Sequence, residues 1–390
     1  MGHDKWQFVD RALAERLQQQ RWRSLHPLSP DDSVHVLRSG QRLLNFSAND
    51  YLGLSKHPAL IEAAQAYTQR YGTGATASRL VAGTYTIHAQ LEQELAAAYG
   101  QEAALLFNSG FQANSTVLAA LLDRQSLVLC DRLVHSSLLQ GVLTSRSRLI
   151  RYAHNDLHQL EAQLRQAAAP AYSRIVIVTE TVFSMDGDRS DVDALIQLAE
   201  RYGAILYLDD AHALGVLGQD GMGLAAHRSG VDVAIGTFGK AFGAFGAFVA
   251  CSQKLRDYLI NCCPGFIYTT ALPPAVIGAI AAALKLMPTL EPERQHLSQQ
   301  ADQLRQKLQS LGYNPGASSS QIVPLILQDE SQALHLSEWL EAHGILATAI
   351  RPPTVPIGTS RIRLALSSCH TAEQLEYLTQ CLAEFSASSL

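Results

Sequence analysis

Residues 204–210 read AILYLDD, an apolar run too short for a helix that stops abruptly at two aspartates. Such a run fits a strand buried on both faces of a sheet, with its acids delivered at the carboxyl end. Similar runs lie on either side: AALLF (103–107), SLVLC (126–130), RIVIVTE (174–180), DVAIGT (232–237) and AFVAC (247–251). Helical segments such as DVDALIQLAERYG (191–203) separate most of them. The alternation predicts an α/β fold with a mostly parallel sheet flanked by helices. In sheets of this type ligands gather at the carboxyl edge of the strands.

Working outward, HPALIEAAQAYTQRYG (57–72) and IHAQLEQELAAAYG (87–100) read as helices, the first entered at a proline and both stopped by glycine. Beyond Leu272 the texture changes. LPPAVIGAIAAALKLMPTL (272–290) and EPERQHLSQQADQLRQKLQSLG (291–312) read as helices; QIVPLILQ (321–328), ILATAI (345–350) and RIRLAL (361–366) read as strands, with a helix between the first two. GYNPGASSS (312–320) is a loop between them. The expected domains are an N-terminal helical arm with short strands (1–47), a large α/β domain (48–272) and a smaller C-terminal α+β domain (273–390).

Composition narrows the function classes. The 390 residues are 47% hydrophobic and 17% charged, as in a globular chain, and the net charge of -5 offers no basic field for nucleic acid. The six cysteines show neither C-x-x-C spacing nor a neighbouring histidine cluster, which suits a reduced, cytoplasmic protein. The charged, helical-period N-terminus lacks the apolar core of a signal peptide. The longest apolar runs, 241–251 and 275–284, fall short of the ~20 residues that cross a bilayer.

The chemistry begins with Asp209, Asp210 and His212, which follow the strand at 205–209. Three readings are open there: a helix cap, a metal site, or one half of a cofactor pocket. Lys240 favours the third. It stands alone in TFGKAFGAFG (237–246), where small and apolar neighbours would leave its amine neutral and able to form a Schiff base. A Walker A loop requires glycine at 234 and serine or threonine at 241, where this chain has Ala234 and Ala241. Pyridoxal phosphate (PLP) needs both such an amine and an acid for its ring nitrogen. Ser109, Gly110 and Phe111, after a strand and at a helix start, offer backbone N–H groups to a phosphate. GTGATA (72–77) follows a helix instead, so a dinucleotide reading is poor there. The hydroxyls of Ser184, Thr237, Thr269 and Thr270 could contribute, though such side chains are commonly caps. His135, just beyond SLVLC, is a site candidate only by its position at a strand end.

Taken together, NFSANDYLGL (45–54), SRLVAGT (78–84), NSGFQAN (108–114), DRLVHSSLL (131–139), AHND (153–156), VTETVFSMDGD (178–188), LDDAHALGVLG (208–218), TFGKAFG (237–243), IYTTALPP (267–274) and IRPPTVPIGTSRIRLALSSCH (350–370) resemble the α-oxoamine synthases, nearly end to end. These are PLP enzymes of fold type I. The resemblance implies Lys240 as Schiff-base lysine and general base, Asp209 as partner of the pyridine nitrogen, and His212 as partner of the phenolic oxygen. It also implies His135 on the ring face, with Ser184 supporting the ring. Gly110, Phe111 and Thr237 would hold the phosphate, with Thr269 and Thr270 reaching over from the second subunit of a homodimer. Asn49 and Arg363 would take the amino-acid carboxylate, and Arg23 and Thr354 would line the acyl side; no metal is implied.

The implied reaction is a decarboxylative condensation of L-alanine with a pimeloyl thioester, on coenzyme A or acyl carrier protein, in biotin biosynthesis. Family members that use glycine or serine share the catalytic set. The chain departs from the family pattern at Ala77, Ala213, Leu214, Ala244 and Phe245, none of which removes a functional group. From other classes, a non-catalytic PLP-binding protein would have lost the lysine or the aspartate, and a metal-dependent hydrolase built on Asp209, Asp210 and His212 would be sensitive to chelators.

Overall fold

The computed structural model describes residues 4–19, 21–167 and 172–388; positions 1–3 and 20 of the expected N-terminal helical stretch lie outside the described residues. All six predicted runs form strands of one seven-stranded sheet, joined by Arg148–Tyr152 at one edge. From edge to edge the order is Ala103–Phe107, Ala247–Cys251, Val233–Thr237, Ile205–Asp209, Arg174–Glu180, Ser126–Asp131, Arg148–Tyr152. Neighbouring strands from 126 to 237 pair in parallel, while Ala247–Cys251 runs antiparallel to both of its neighbours. The sheet is therefore mixed, with a single reversed strand.

That strand reverses because it forms a hairpin with its predecessor, Ala247 facing Thr237 and Cys251 facing Val233. Apolar side chains pack both faces. Leu206 and Leu208 enter one cluster with Leu91 and Leu95 of helix Thr86–Tyr99, whereas Tyr207 and Val233 enter another with Val117 of helix Gly110–Leu121. Alternate residues of one strand thus feed two cores, which is why the runs are continuously apolar instead of alternating. The helices stop where glycine allows a left-handed residue, as at Gly100 (φ 71°) and Gly203 (φ 62°).

A three-stranded antiparallel sheet lies in the C-terminal part: Ile322–Gln328, Ser360–Ala365, Ala349–Ile350. Pro324 sits in its edge strand, where no ladder donor is needed on the open side. The run 345–350, predicted as one strand, is divided. Ile345–Leu346 pairs in parallel with Leu44 and Asn45, whereas Ala349–Ile350 pairs with Ile362 and Arg361. The short strands Ser29–Pro30, His35–Arg38 and Gln41–Asn45 are in this way joined to the C-terminal part of the chain. Among the described residues no single helix is long and apolar enough to cross a membrane.

Candidate active site

The site forms where parallel strands end. Glu180 and Asp209 are the last residues of adjacent strands and face each other in register. Asp209 is also paired with Ile235 of the next strand, which continues to Thr237. Residues 238–246 then reverse the chain, and Lys240 stands in that reversal. Three backbone bonds hold its shape: Phe238 N–H to Gly246 O (2.9 Å), Ala244 N–H to Phe238 O (2.8 Å) and Gly243 N–H to Lys240 O (2.9 Å). Gly243 adopts φ +61°, and a Cβ there would stand 2.4 Å from the backbone of Leu54 and Ser55. Glycine is required because two stretches of main chain touch.

A cavity of about 340 Å³ opens at this edge. Its wall includes Lys240, Asp209, His212, His135, Gly110, Phe111, Ser184, Thr237, Asn49 and Arg363, residues gathered from positions 49 to 363. Four expected site residues are absent from that wall. Thr269 donates its hydroxyl to Gly265 O (2.6 Å) and accepts from Gln112 Nε2 (2.7 Å), and the Thr270 carbonyl accepts from Asn108 Nδ2 (2.9 Å). Arg23 and Thr354 are exposed and meet each other, Nη2 to Oγ1 at 3.3 Å.

Most polar groups in the wall have fixed partners. Asp209 accepts from Asn114 Nδ2 at Oδ2 (2.6 Å) and from Ala211 N–H at Oδ1 (3.0 Å), a donor for each oxygen. His212 Nδ1 lies 2.7 Å from the Tyr51 hydroxyl. Arg363 donates from Nε to Ser184 O (2.6 Å) and from Nη2 to Asn49 Oδ1 (3.0 Å). His135 caps helix Ser136–Ser145, its Nδ1 accepting from Ser137 N–H (3.3 Å), and its own N–H donates to Glu180 Oε1 (2.5 Å). Asp210 faces away, accepting from Tyr99 Oη (2.7 Å), Thr181 Oγ1 (2.5 Å) and the N–H groups of Leu224 and Ala225. Asp209, Asp210 and His212 thus turn to separate partners, and no cluster among the described residues has the form of a metal site.

Burial sets the charges. It lowers the Lys240 amine to about 8, against the opposing attraction of Asp209 and Glu180. It also takes His212 well below the ordinary histidine value, with the cations Lys240 and Arg363 pushing the same way. His135 is lowered by burial too. Glu180 is raised well above a normal carboxyl, first by burial and then by the charge of Asp209. Burial thus favours the uncharged forms of the Lys240 amine, of both imidazoles and of Glu180.

Asn114, Ser137 and Glu180 also line the cavity, and sequence reading missed all three. A signal existed for Glu180, which ends RIVIVTE as Asp209 ends its own strand. Asn114 lies one helical turn beyond Gly110, on the same face. Of the departures from the family pattern, Phe245 reaches the cavity wall, while Ala213 and Leu214 are fully buried in the core.

The pattern of the family described as aminotransferase class I and II matches residues 41–382. An 8-amino-7-oxononanoate synthase from Gluconacetobacter diazotrophicus is 52% identical over 384 residues, covering 97% of this chain and 96% of that one. Among solved structures, the 8-amino-7-oxononanoate synthase of Francisella tularensis superposes with a TM-score of 0.76 at 27% identity, over 89% of this chain and 98% of that one. A serine palmitoyltransferase from S. paucimobilis, solved with bound PLP-myriocin, superposes with a TM-score of 0.92 at 25% identity, over the whole of both chains.

Proposed function

The chain belongs to the class I and II aminotransferase family and, within it, to the group of the 8-amino-7-oxononanoate synthases; from that membership we propose that it is a PLP-dependent acyltransferase of biotin biosynthesis. Its reaction condenses L-alanine with a pimeloyl thioester, giving 8-amino-7-oxononanoate, carbon dioxide and the free thiol. The observation that carries this reading is the convergence of the Lys240 amine and the Asp209 carboxylate on one cavity from neighbouring strand ends.

The donor set fits PLP. An amine, a carboxylate and a helix N-terminus at Gly110 surround one space, and a Cβ on Gly110 would stand 2.6 Å from Thr237 Cγ2, displacing the hydroxyl-bearing side chain at the phosphate corner. When bound, PLP supplies a carbonyl for the amine and an electron sink for the carbanion of the amino acid. Asp209, hydrogen-bonded at both oxygens, would pair with the ring nitrogen. With PLP bound, His212 would pair with its phenolic oxygen, and His135 and Ser184 would hold its ring. Backbone N–H groups at Gly110 and Phe111, with the Thr237 hydroxyl, receive the phosphate.

Lys240 Nζ takes the α-proton of alanine and later returns a proton to the product. Arg363 and Asn49, already joined by a hydrogen bond, receive the carboxylate. Arg23 and Thr354, already paired, border the path of the acyl donor. A second copy of the chain completes the phosphate end with its Thr269 and Thr270, making the enzyme a homodimer.

Supplying alanine, glycine and serine against pimeloyl-, acetyl- and succinyl-CoA, and against pimeloyl carrier protein, tests the assignment. Product is expected from alanine with a pimeloyl donor; product from glycine alone would make the chain a glycine acyltransferase such as 2-amino-3-ketobutyrate ligase or 5-aminolevulinate synthase. Product from serine, extended to a palmitoyl-CoA donor, would indicate a palmitoyltransferase, whose solved scaffold superposes at a TM-score of 0.92 against 0.76 for the synthase. The 52% identity to a synthase, against 25% to a palmitoyltransferase, favours the first outcome.

A further inference from the structure

Asn114 is buried to 1% exposure on helix Gly110–Leu121 and meets three side chains. Its Nδ2 donates to Asp209 Oδ2 (2.6 Å) and to Ser137 Oγ (3.0 Å), while its Oδ1 accepts from the Tyr207 hydroxyl (3.0 Å). An amide nitrogen carries two hydrogens and no acceptor, so both are committed. Ser137, fully buried, must therefore direct its own hydrogen elsewhere. Among the described residues the remaining partner of Ser137 Oγ is His135 Nδ1, 2.7 Å away. The backbone N–H of Ser137 points to the same nitrogen at 3.3 Å. Two donors thus converge on Nδ1, and a nitrogen that accepts carries no hydrogen.

We infer that Asn114 is a positioning residue for two groups at once: it orients the Asp209 carboxylate and, through Ser137, fixes His135 as the tautomer protonated on Nε2. Desolvation in the wall lowers the pKa of His135, and in the neutral ring a nitrogen Nδ1 that accepts leaves the proton on Nε2. The Nε2–H becomes a defined donor in the cavity wall, suited to an acceptor oxygen of the substrate such as a carboxylate or a thioester carbonyl. A histidine with the opposite tautomer would offer a lone pair and repel such an oxygen. The relay also makes the two groups interdependent, because any rotation of the Asn114 amide releases both. The catalytic consequence rests on the PLP reading above, but the tautomer itself does not.

The test is 15N spectroscopy of histidine-labelled holoenzyme, with the His135 signals assigned by their loss in His135→Gln. The expected spectrum shows Nδ1 unprotonated and Nε2 protonated. Ser137→Ala should mix the tautomers and lower kcat/KM by about 10-fold, the usual scale for losing an outer-shell partner, with melting temperature and visible cofactor band unchanged. Asn114→Ala should mix the tautomers and also weaken PLP retention, because it touches Asp209. A protonated Nδ1 in the unaltered protein, or unchanged His135 signals in Ser137→Ala, overturns the inference. A colourless protein with the expected tautomer would instead refute the PLP reading and leave the relay standing.

Discussion

The Lys240 amine is set by a contest between burial, which removes its proton, and the carboxyls of Asp209 and Glu180, which retain it. Burial prevails, and two outcomes follow at this one residue. In the cofactor-free protein the folded chain gives up the Lys240 proton near pH 8, whereas the unfolded chain keeps it to about 10.5. At this group the unfolded state therefore binds more protons between those values, and the contribution of Lys240 to stability rises with pH across that window. Urea unfolding should show the cofactor-free protein gaining stability relative to Lys240→Met between pH 8 and pH 10, a comparison in which the opposite slope of His154 cancels; equal slopes in both proteins would mean the amine is not buried. Lys240→Ala should also abolish turnover, by 1,000-fold or more on the scale of a lost nucleophile or base, together with the visible absorbance and borohydride sensitivity of the holoenzyme. The lysine was legible from its composition: one amine among glycines has few structural uses. Asn114, Ser137 and Glu180 were not, because an amide, a hydroxyl and a strand-end acid are commonplace, and their roles arise only where three separate elements meet.

Strands and their connections decide which of these groups can meet. The short apolar runs were legible because burial on both faces demands continuous hydrophobicity, but their direction was not. Nothing in AFVAC distinguishes an antiparallel strand from a parallel one; the tight hairpin through residues 238–246 decides it. That hairpin is seated by Gly243 against residues 54–55. Gly243→Ala adds both a strained positive φ and a backbone clash, and should cost on the order of 2 kcal/mol in denaturant unfolding while weakening PLP retention. Loss of stability with retention intact would place the hairpin's role in folding alone. A second connection is pinned by His154. Its ring lies between Asp131 (3.1 Å) and Asp188 (2.8 Å), joining the end of strand Ser126–Asp131 to the loop that carries Ser184. Burial disfavours its charge, but hydrogen bonds to the two aspartates outweigh burial and raise it to about 10. Since the folded value is the higher one, this contribution is complete below about 6.5 and disappears as pH climbs through 10. His154→Ala should cost about 2 kcal/mol at pH 6, and the difference from the unaltered protein should narrow by pH 10.

At the scale of the whole molecule, one side of the cavity is made by a contact between two sheets, through residues more than 170 positions apart. Arg361 and Arg363 stand two positions apart on strand Ser360–Ala365, and both reach the 184–186 loop of the large sheet. Arg361 pairs with Asp186 at 2.5 Å and takes the Met185 carbonyl at 3.2 Å, while Arg363 takes the Ser184 carbonyl and Asn49. The run RIRLAL was readable as a strand, and Arg363 as a site residue through resemblance, but the structural work of Arg361 was not. An arginine in a strand carries no mark of the loop it will grip. The division of 345–350 between two sheets was hidden for the same reason, since pairing partners are chosen by tertiary packing. The two arginines should therefore separate in experiment. Arg361→Lys keeps the charge at Asp186 but not the reach to Met185 O, and should lower stability by about 1 kcal/mol with little change in KM. Arg363→Lys loses the forked contact that joins Ser184 to Asn49 at the cavity wall, and should raise KM for alanine by about 10-fold or more while kcat changes less. Measured KM and kcat for the pair decide the matter: a rise in KM confined to Arg363→Lys marks it as the carboxylate receptor, whereas equal effects from both would make the two arginines a clamp between sheets and nothing more.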